Sequence, residues 1–220
     1  MLPDSGHIQE MEVEWKNRKR ERKGEDPLPP LYTAEDAAKC LEIFKPVQYD
    51  EIIDIDENIK ARFNDAGHML GSAIIEVWVT EGDKTEKIVF TGDLGNNDIP
   101  LLSPPTMIES ADYLVMESTY GNRLHMRNDD KASMFLDIVY ETLEKGGTVV
   151  IPSFAVGRTQ EILFELNRIK EEKHDEEFYK KYKRLMSVPV YVDSPLAISA
   201  TEVFKENMNL FNEETQAIIN

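Results

Sequence analysis

The sequence contains one cysteine, Cys40. A single cysteine excludes a disulfide framework and a cysteine-based zinc site, and fits a reducing cytoplasm. Long apolar runs are missing as well. None is long enough to span a bilayer, so no membrane association is expected. The opening Met1-Leu2-Pro3-Asp4-Ser5-Gly6-His7 has neither the basic nor the apolar region of a secretory signal. Histidine is scarce, at His7, His68, His125 and His174. Positive charge is short too: 25 Lys and Arg stand against 42 Asp and Glu, for a net charge of −17. Proteins that grip phosphate backbones usually show a basic footprint. Nucleic-acid binding would therefore have to rest on local charge or on a metal-lined cleft. Lys16, Arg18, Lys19, Arg20, Arg22 and Lys23 form one such local cluster. It also reads as a solvated helix face that balances nearby glutamates.

What is present is the composition of a globular protein. Of 220 residues, 41% are apolar and 30% charged, enough to bury a core in one large domain or two small ones. No internal repeat or low-complexity segment is evident. Residues 8–23 read as a charged helix ended by the break Asp26-Pro27-Leu28-Pro29-Pro30. Thr33 to Asp36 is close to a capping box, starting a helix that stops before Pro46. From Glu51 onward strands are expected: 60–64, 73–79, a turn at Gly82-Asp83, an antiparallel return over 87–90, and a short strand over 113–116. After Gly121 the pattern changes to alternating strand and helix. A helix capped by Asp129 or Asp130 carries Met134, Phe135, Ile138, Val139 and Leu143 at a 3.6-residue period. Strands are expected over 148–152 and 188–192, each followed by a helix, with parallel pairing and right-handed crossovers. A domain boundary is placed near 122–128, dividing the chain into 1–122 and 123–220.

Several strand ends carry residues suited to chemistry. His68 lies in Gly67-His68-Met69-Leu70-Gly71-Ser72, where flanking glycines let the backbone bend and present an imidazole, a common zinc ligand. On local features alone it also reads as an ordinary loop histidine. Asp93, in Thr91-Gly92-Asp93-Leu94-Gly95, has two carboxylate oxygens that can bridge two metal ions, or can bond its own turn. Glu117, in Glu117-Ser118-Thr119-Tyr120-Gly121, leaves an apolar strand either as a paired acid or bonded to loop amides. Ser153-Phe154-Ala155-Val156-Gly157-Arg158-Thr159-Gln160-Glu161 joins a strand to a helix. There Ser153, free amides and Arg158 can hold an anion, and Asp193-Ser194-Pro195 offers the same chemistry more weakly through Ser194. Both stretches also fit plain turn chemistry. His7, His125 and His174 have no ligand-like setting.

Taken in order, these five blocks resemble successive motifs of the metallo-β-lactamase-fold nucleases of the β-CASP group. That group includes the nuclease subunit of the mRNA cleavage and polyadenylation factor and its bacterial relatives. The similarity covers nearly the whole chain. The Glu117-Ser118-Thr119-Tyr120-Gly121 form looks more like the endonuclease members than the ribonuclease J class. The resemblance implies an α/β fold: a partial metallo-β-lactamase αββα domain followed by the first part of a β-CASP α/β cap. It implies a metal-dependent hydrolase of RNA phosphodiester bonds with two zinc ions in an intact site. His68 and Asp93 would be metal ligands, with Asp93 bridging. Glu117 would be a catalytic acidic residue that orients a histidine. Ser153, Arg158 and Ser194 would bind substrate.

The family's His-x-His-x-Asp-His motif is absent from this sequence, and no histidine beyond Glu117 matches the family's two later ones. The chain therefore reads as an internal piece, expected to bind zinc weakly and to cleave RNA negligibly by itself. Single-stranded RNA is the expected partner, with homodimerisation left open. Alternatives of other kinds are a non-catalytic nucleic-acid or protein-binding module that keeps the fold, and an exonuclease or DNA-directed member of the group.

Overall fold

The structure, a computed structural model, describes residues 1–97, 100–123, 131–171 and 173–219. His125, the Asp129 or Asp130 cap and most of the expected 122–128 boundary lie outside the described residues. The chain divides into two compact units, Met1–Gln48 and Tyr49–Asn220.

The first unit is a helix pair, α1 (Leu2–Glu21) and α2 (Ala34–Cys40), with a 3₁₀ turn over Leu41–Ile43. Helix α1 begins six residues earlier than its charge pattern suggests, with Pro3 in its first turn, where a missing N–H costs nothing. The two helices touch where Gly6 has no side chain: a Cβ there would lie 2.7 Å from the backbone of Ala34. The proline-rich stretch folds back along α1. The Asn17 side chain both donates to the Leu28 carbonyl and accepts from the Leu28 amide, each at 2.8 Å. Thr33 and Asp36 form a complete capping box at the start of α2.

The second unit holds one five-stranded sheet in the order β1 (Ile52–Asp54), β2 (Ile59–Asp65), β3 (Ala73–Glu81), β4 (Lys84–Phe90), β5 (Tyr113–Val115). The first four strands are antiparallel neighbours, and β5 joins β4 in parallel. The β3–β4 turn is the two-residue Gly82-Asp83, with Gly82 at φ +60°, the first-position glycine of a type II′ hairpin. One face of the sheet is buried over Ile74 and Val89, which pack with Ala66, Leu94 and Ile108.

The helices are α3 (Lys131–Glu144), α4 (Arg158–Glu171), α5 (Glu176–Lys181), α6 (Lys183–Ser187), α7 (Pro195–Glu206) and α8 (Glu213–Ile219). One cluster joins α3 to α4 through Leu136, Val139 and Ile169, and extends to Tyr182 and Leu185. A second joins Leu101 and Leu102 to Phe204 and Phe211.

The strands expected over 148–152 and 188–192 are not formed. Both segments lie outside any helix or strand, and among the described residues neither pairs with another strand. Val149 and Val188 pack against the α3–α6 cluster, whereas Val150 is 81% and Tyr191 84% exposed. A parallel strand needs neighbours to satisfy its backbone groups and helices to cover both faces. An apolar run encodes burial, but it cannot supply the partner. The α/β class itself is observed. No helix among the described residues is long and apolar enough to cross a membrane.

Candidate active site

Three loops meet at the ends of β2, β4 and β5. The first leaves β2 and is closed by Ser72. The Ser72 hydroxyl accepts from the amides of His68 and Met69, both at 3.2 Å, and its own carbonyl accepts from the Tyr49 hydroxyl at 2.8 Å. Burial, and then the charge of Asp65, push the Tyr49 phenol up to about 12, so it stays a donor. Burial and the neighbouring Asp50 likewise raise Asp65, although the Gly67 amide bonded to it acts the other way.

The second loop leaves β4 at Thr91 and crosses the first one. Gly95 donates to the Ala66 carbonyl at 2.8 Å. This crossing brings His68 Nε2 to 4.0 Å from Asp93 Oδ2. The third loop leaves β5 and is pinned to the second by Glu117. One of its carboxylate oxygens accepts from the Leu94 amide at 2.6 Å, and the other from the Thr119 hydroxyl at 2.7 Å. The Glu117 amide donates to Thr91 Oγ1 at 3.2 Å. These bonds, led by the Leu94 amide, hold the Glu117 carboxyl below its ordinary value, and His68 adds a smaller electrostatic contribution. His68, Asp93 and Glu117 therefore gather at one rim of the sheet.

An imidazole nitrogen and a carboxylate oxygen facing each other form a donor pair that zinc accepts. The pair fits part of a zinc site but falls short of the four ligands such a site takes. Among the described residues no group of three or more His, Cys, Asp or Glu is placed to hold a metal ion.

Ser153, Arg158 and Ser194 lie on the loops that open α4 and α7. Each is engaged locally. Ser153 Oγ is 2.8 Å from Thr159 Oγ1, and Ser194 Oγ accepts from the Ala197 amide at 3.2 Å as the N-cap of α7. Arg158 reaches along its own helix to Glu161 at 2.5 Å, with its side chain 66% exposed. Among the described residues no bond joins these three side chains to His68, Asp93 or Glu117, but the second core cluster connects the two regions. Leu70, two residues from His68, and Val156, two from Arg158, both pack against it.

The residue that sequence reasoning passed over here is Gln160. It is buried, accepts from the Gly157 amide at 2.8 Å, and donates to the Ala155 carbonyl and to Thr201 on α7. It joins the α4 loop to α7. The only signal in the sequence was its place in a quoted block. A second omission is Glu76, fully buried on the covered face of the sheet. It accepts from Arg62 Nε at 2.6 Å and Asn64 at 2.9 Å and pairs with Lys87. Burial opposes its ionisation, but the bonds from Arg62, Lys87 and Asn64 outweigh that and hold its carboxyl at about 2. Strand register, which the sequence does not print, brings these four residues together.

Residues 159–219 match the family model of the Beta-Casp domain. The chain is 35% identical over 188 residues to Ribonuclease TTHA0252 of Thermus thermophilus, covering 86% of this chain and 40% of that protein. It is 36% identical over 195 residues to the RNase J-like protein of Methanocaldococcus jannaschii, covering 87% and 43%. It is 31% identical over 188 residues to Endoribonuclease YSH1 of Eremothecium gossypii, covering 84% and 23%. Residues 159–219 carry the Beta-Casp domain, and over most of its length the chain is similar to these β-CASP RNA-processing nucleases. It spans less than half the length of these curated relatives.

Proposed function

We propose that this chain forms part of a metal-dependent hydrolase of RNA phosphodiester bonds, an RNA-processing endonuclease. The observation that carries this reading is the meeting of His68, Asp93 and Glu117 at one rim, in a chain whose relatives are named ribonucleases and an endoribonuclease. His68 Nε2 and the Asp93 carboxylate would hold zinc, two ions in an intact site. The metal supplies Lewis-acid stabilisation of charge developing on the scissile phosphate. Glu117 stays ionised and fixes the Leu94 amide, and with it the backbone that carries Asp93. Arg158, Ser153 and Ser194 lie at the N-termini of α4 and α7, where the positive ends of the helix dipoles and a guanidinium favour an RNA phosphate. Engaging a phosphate would require the largely exposed Arg158 guanidinium to leave Glu161. The single unpaired cysteine fits action in a reducing cytoplasm.

With two candidate ligands in reach, the 220 residues by themselves bind zinc weakly and cleave RNA negligibly. The test is cleavage of labelled single-stranded RNA with zinc or manganese. It compares the chain alone with a longer polypeptide that supplies the His-x-His-x-Asp-His motif and the family's later histidines. The longer protein is expected to cut, and Asp93→Ala to abolish cutting. Robust metal-dependent turnover by the chain alone, unchanged in Asp93→Ala, would overturn both the site and the reading. A second reading, a non-catalytic module that keeps the fold, is favoured by the absence of a three-ligand group among the described residues. Absence of metal-dependent cutting by the longer protein would select it.

A further inference from the structure

Within the helix-pair unit, α1 displays an aromatic and basic face whose features match single-stranded nucleic acid. Residues 15–23 hold six cations (Lys16, Arg18, Lys19, Arg20, Arg22, Lys23) and one anion (Glu21), for +5, in a chain of net charge −17. Three of the cations are partnered: Lys16 with Glu12, Arg18 with Glu14 and Arg20 with Glu25. Lys19, Arg22 and Lys23 have no carboxylate within ion-pair distance among the described residues.

Trp15 sits beside them, 57% exposed, although an indole is usually buried. Lys19 Nζ lies 3.5 Å from the centre of its ring. Lys19 and Arg22 follow Trp15 by four and seven residues, so all three share one helical face. A half-exposed indole with Lys19 over one face and further cations free of carboxylates beside it can stack a base while neutralising its phosphates. Duplex nucleic acid offers no free base face to such a ring, so single strands are preferred.

We propose that the Trp15, Lys19, Arg22 and Lys23 patch at the C-terminal end of α1 is an auxiliary binding site for single-stranded RNA. The proposal rests on RNA being the substrate. Charge complementarity selects the occupant: the face concentrates positive charge on an otherwise acidic chain, and an acidic protein partner would leave the exposed indole unused.

The test uses the full 220-residue chain carrying Trp78→Phe, so that Trp15 is the sole indole. The probe is a single-stranded RNA of about 12 nucleotides, within the range one stacking platform takes up. Quenching of Trp15 fluorescence on addition of the oligonucleotide is expected, with a weaker response to the same sequence as a duplex. In the chain with Trp78 retained, fluorescence anisotropy of labelled RNA reads affinity independently. There Trp15→Ala is expected to weaken binding about tenfold. The triple variant Lys19→Glu, Arg22→Glu, Lys23→Glu is expected to weaken it more and to reduce the slope of log K against log salt by about 2. These positions are exposed, and circular dichroism verifies that the helix pair persists. RNA binding with no Trp15 quenching and no effect of either variant overturns the inference while leaving the RNA-hydrolase reading intact. No measurable RNA binding also overturns it, and the cleavage assay of the longer protein then decides the hydrolase reading separately. Equal quenching by single strand and duplex overturns the stacking role.

Discussion

The carbonyl oxygen of Gly67 lies 1.7 Å from where a side chain on Gly95 would begin. The loop that carries His68 and the loop that carries Asp93 therefore touch backbone to backbone. Gly67 itself sits at φ +60°, and a Cβ there would lie 2.6 Å from the Ser103 carbonyl. Two glycines from distant blocks make the His68–Asp93 approach possible.

Gly95→Ala is accordingly expected to push the loops apart and destabilise the fold by about 3 kcal/mol or more. Gly82→Ala, at a φ of +60° but with open space around it, should cost only about 1 kcal/mol. Chemical denaturation of the two variants checks this. Equal losses would mean that the crossing loops are not tightly packed.

Glu117→Gln should destabilise the rim by about 1–2 kcal/mol, by replacing charge-assisted bonds to Leu94 and Thr119 with neutral ones. The Glu117 carboxyl is depressed when folded. Its stabilisation is therefore complete above its ordinary value of 4.5 and is lost as pH falls through the lower folded value. The Leu94 amide shift, followed by NMR, should titrate with a midpoint below 4.5. A midpoint at or above 4.5 would show that the bond contributes nothing.

Glu76 makes a larger contribution of the same sign. With its folded value at about 2 against 4.5, it adds on the order of 3 kcal/mol, present above about pH 4.5 and lost as pH falls toward 2. Glu76→Gln leaves Arg62 and Lys87 without their carboxylate and should cost about 3–5 kcal/mol at neutral pH. It should also flatten the acid limb of the stability curve. An unchanged acid limb would assign acid unfolding to other groups.

Gln160 and Arg158 are two residues apart and should behave oppositely. Gln160→Ala opens a buried gap and strands the Gly157 amide, for about 2–3 kcal/mol of stability. Arg158→Ala removes a pair whose guanidinium is largely exposed but whose Glu161 carboxylate is mostly covered, and should change stability by about 1 kcal/mol. In the longer protein, Arg158→Ala should weaken RNA binding with little effect on melting temperature. A large melting shift for Arg158→Ala would make it a structural residue.

Much of the architecture was legible locally. The Thr33–Asp36 box, the Ser194 cap with Pro195 behind it and the Gly82-Asp83 hairpin each depend on residues within four positions of one another. Backbone propensity and side-chain capping act at that range, so the sequence by itself determined these elements, along with the strand periodicity of β2 to β4. What only the tertiary structure decided lies between distant segments. Glu76 meets Arg62 and Lys87 through strand register, and Glu117 reaches across 23 residues to the Leu94 amide. Gln160 bonds to Thr201 on another helix. The same reason accounts for residues 148–152 and 188–192, which have the apolar content of strands but pair with none among the described residues. A strand's hydrogen bonds go to a neighbour, and local sequence states a preference for pairing without naming a partner.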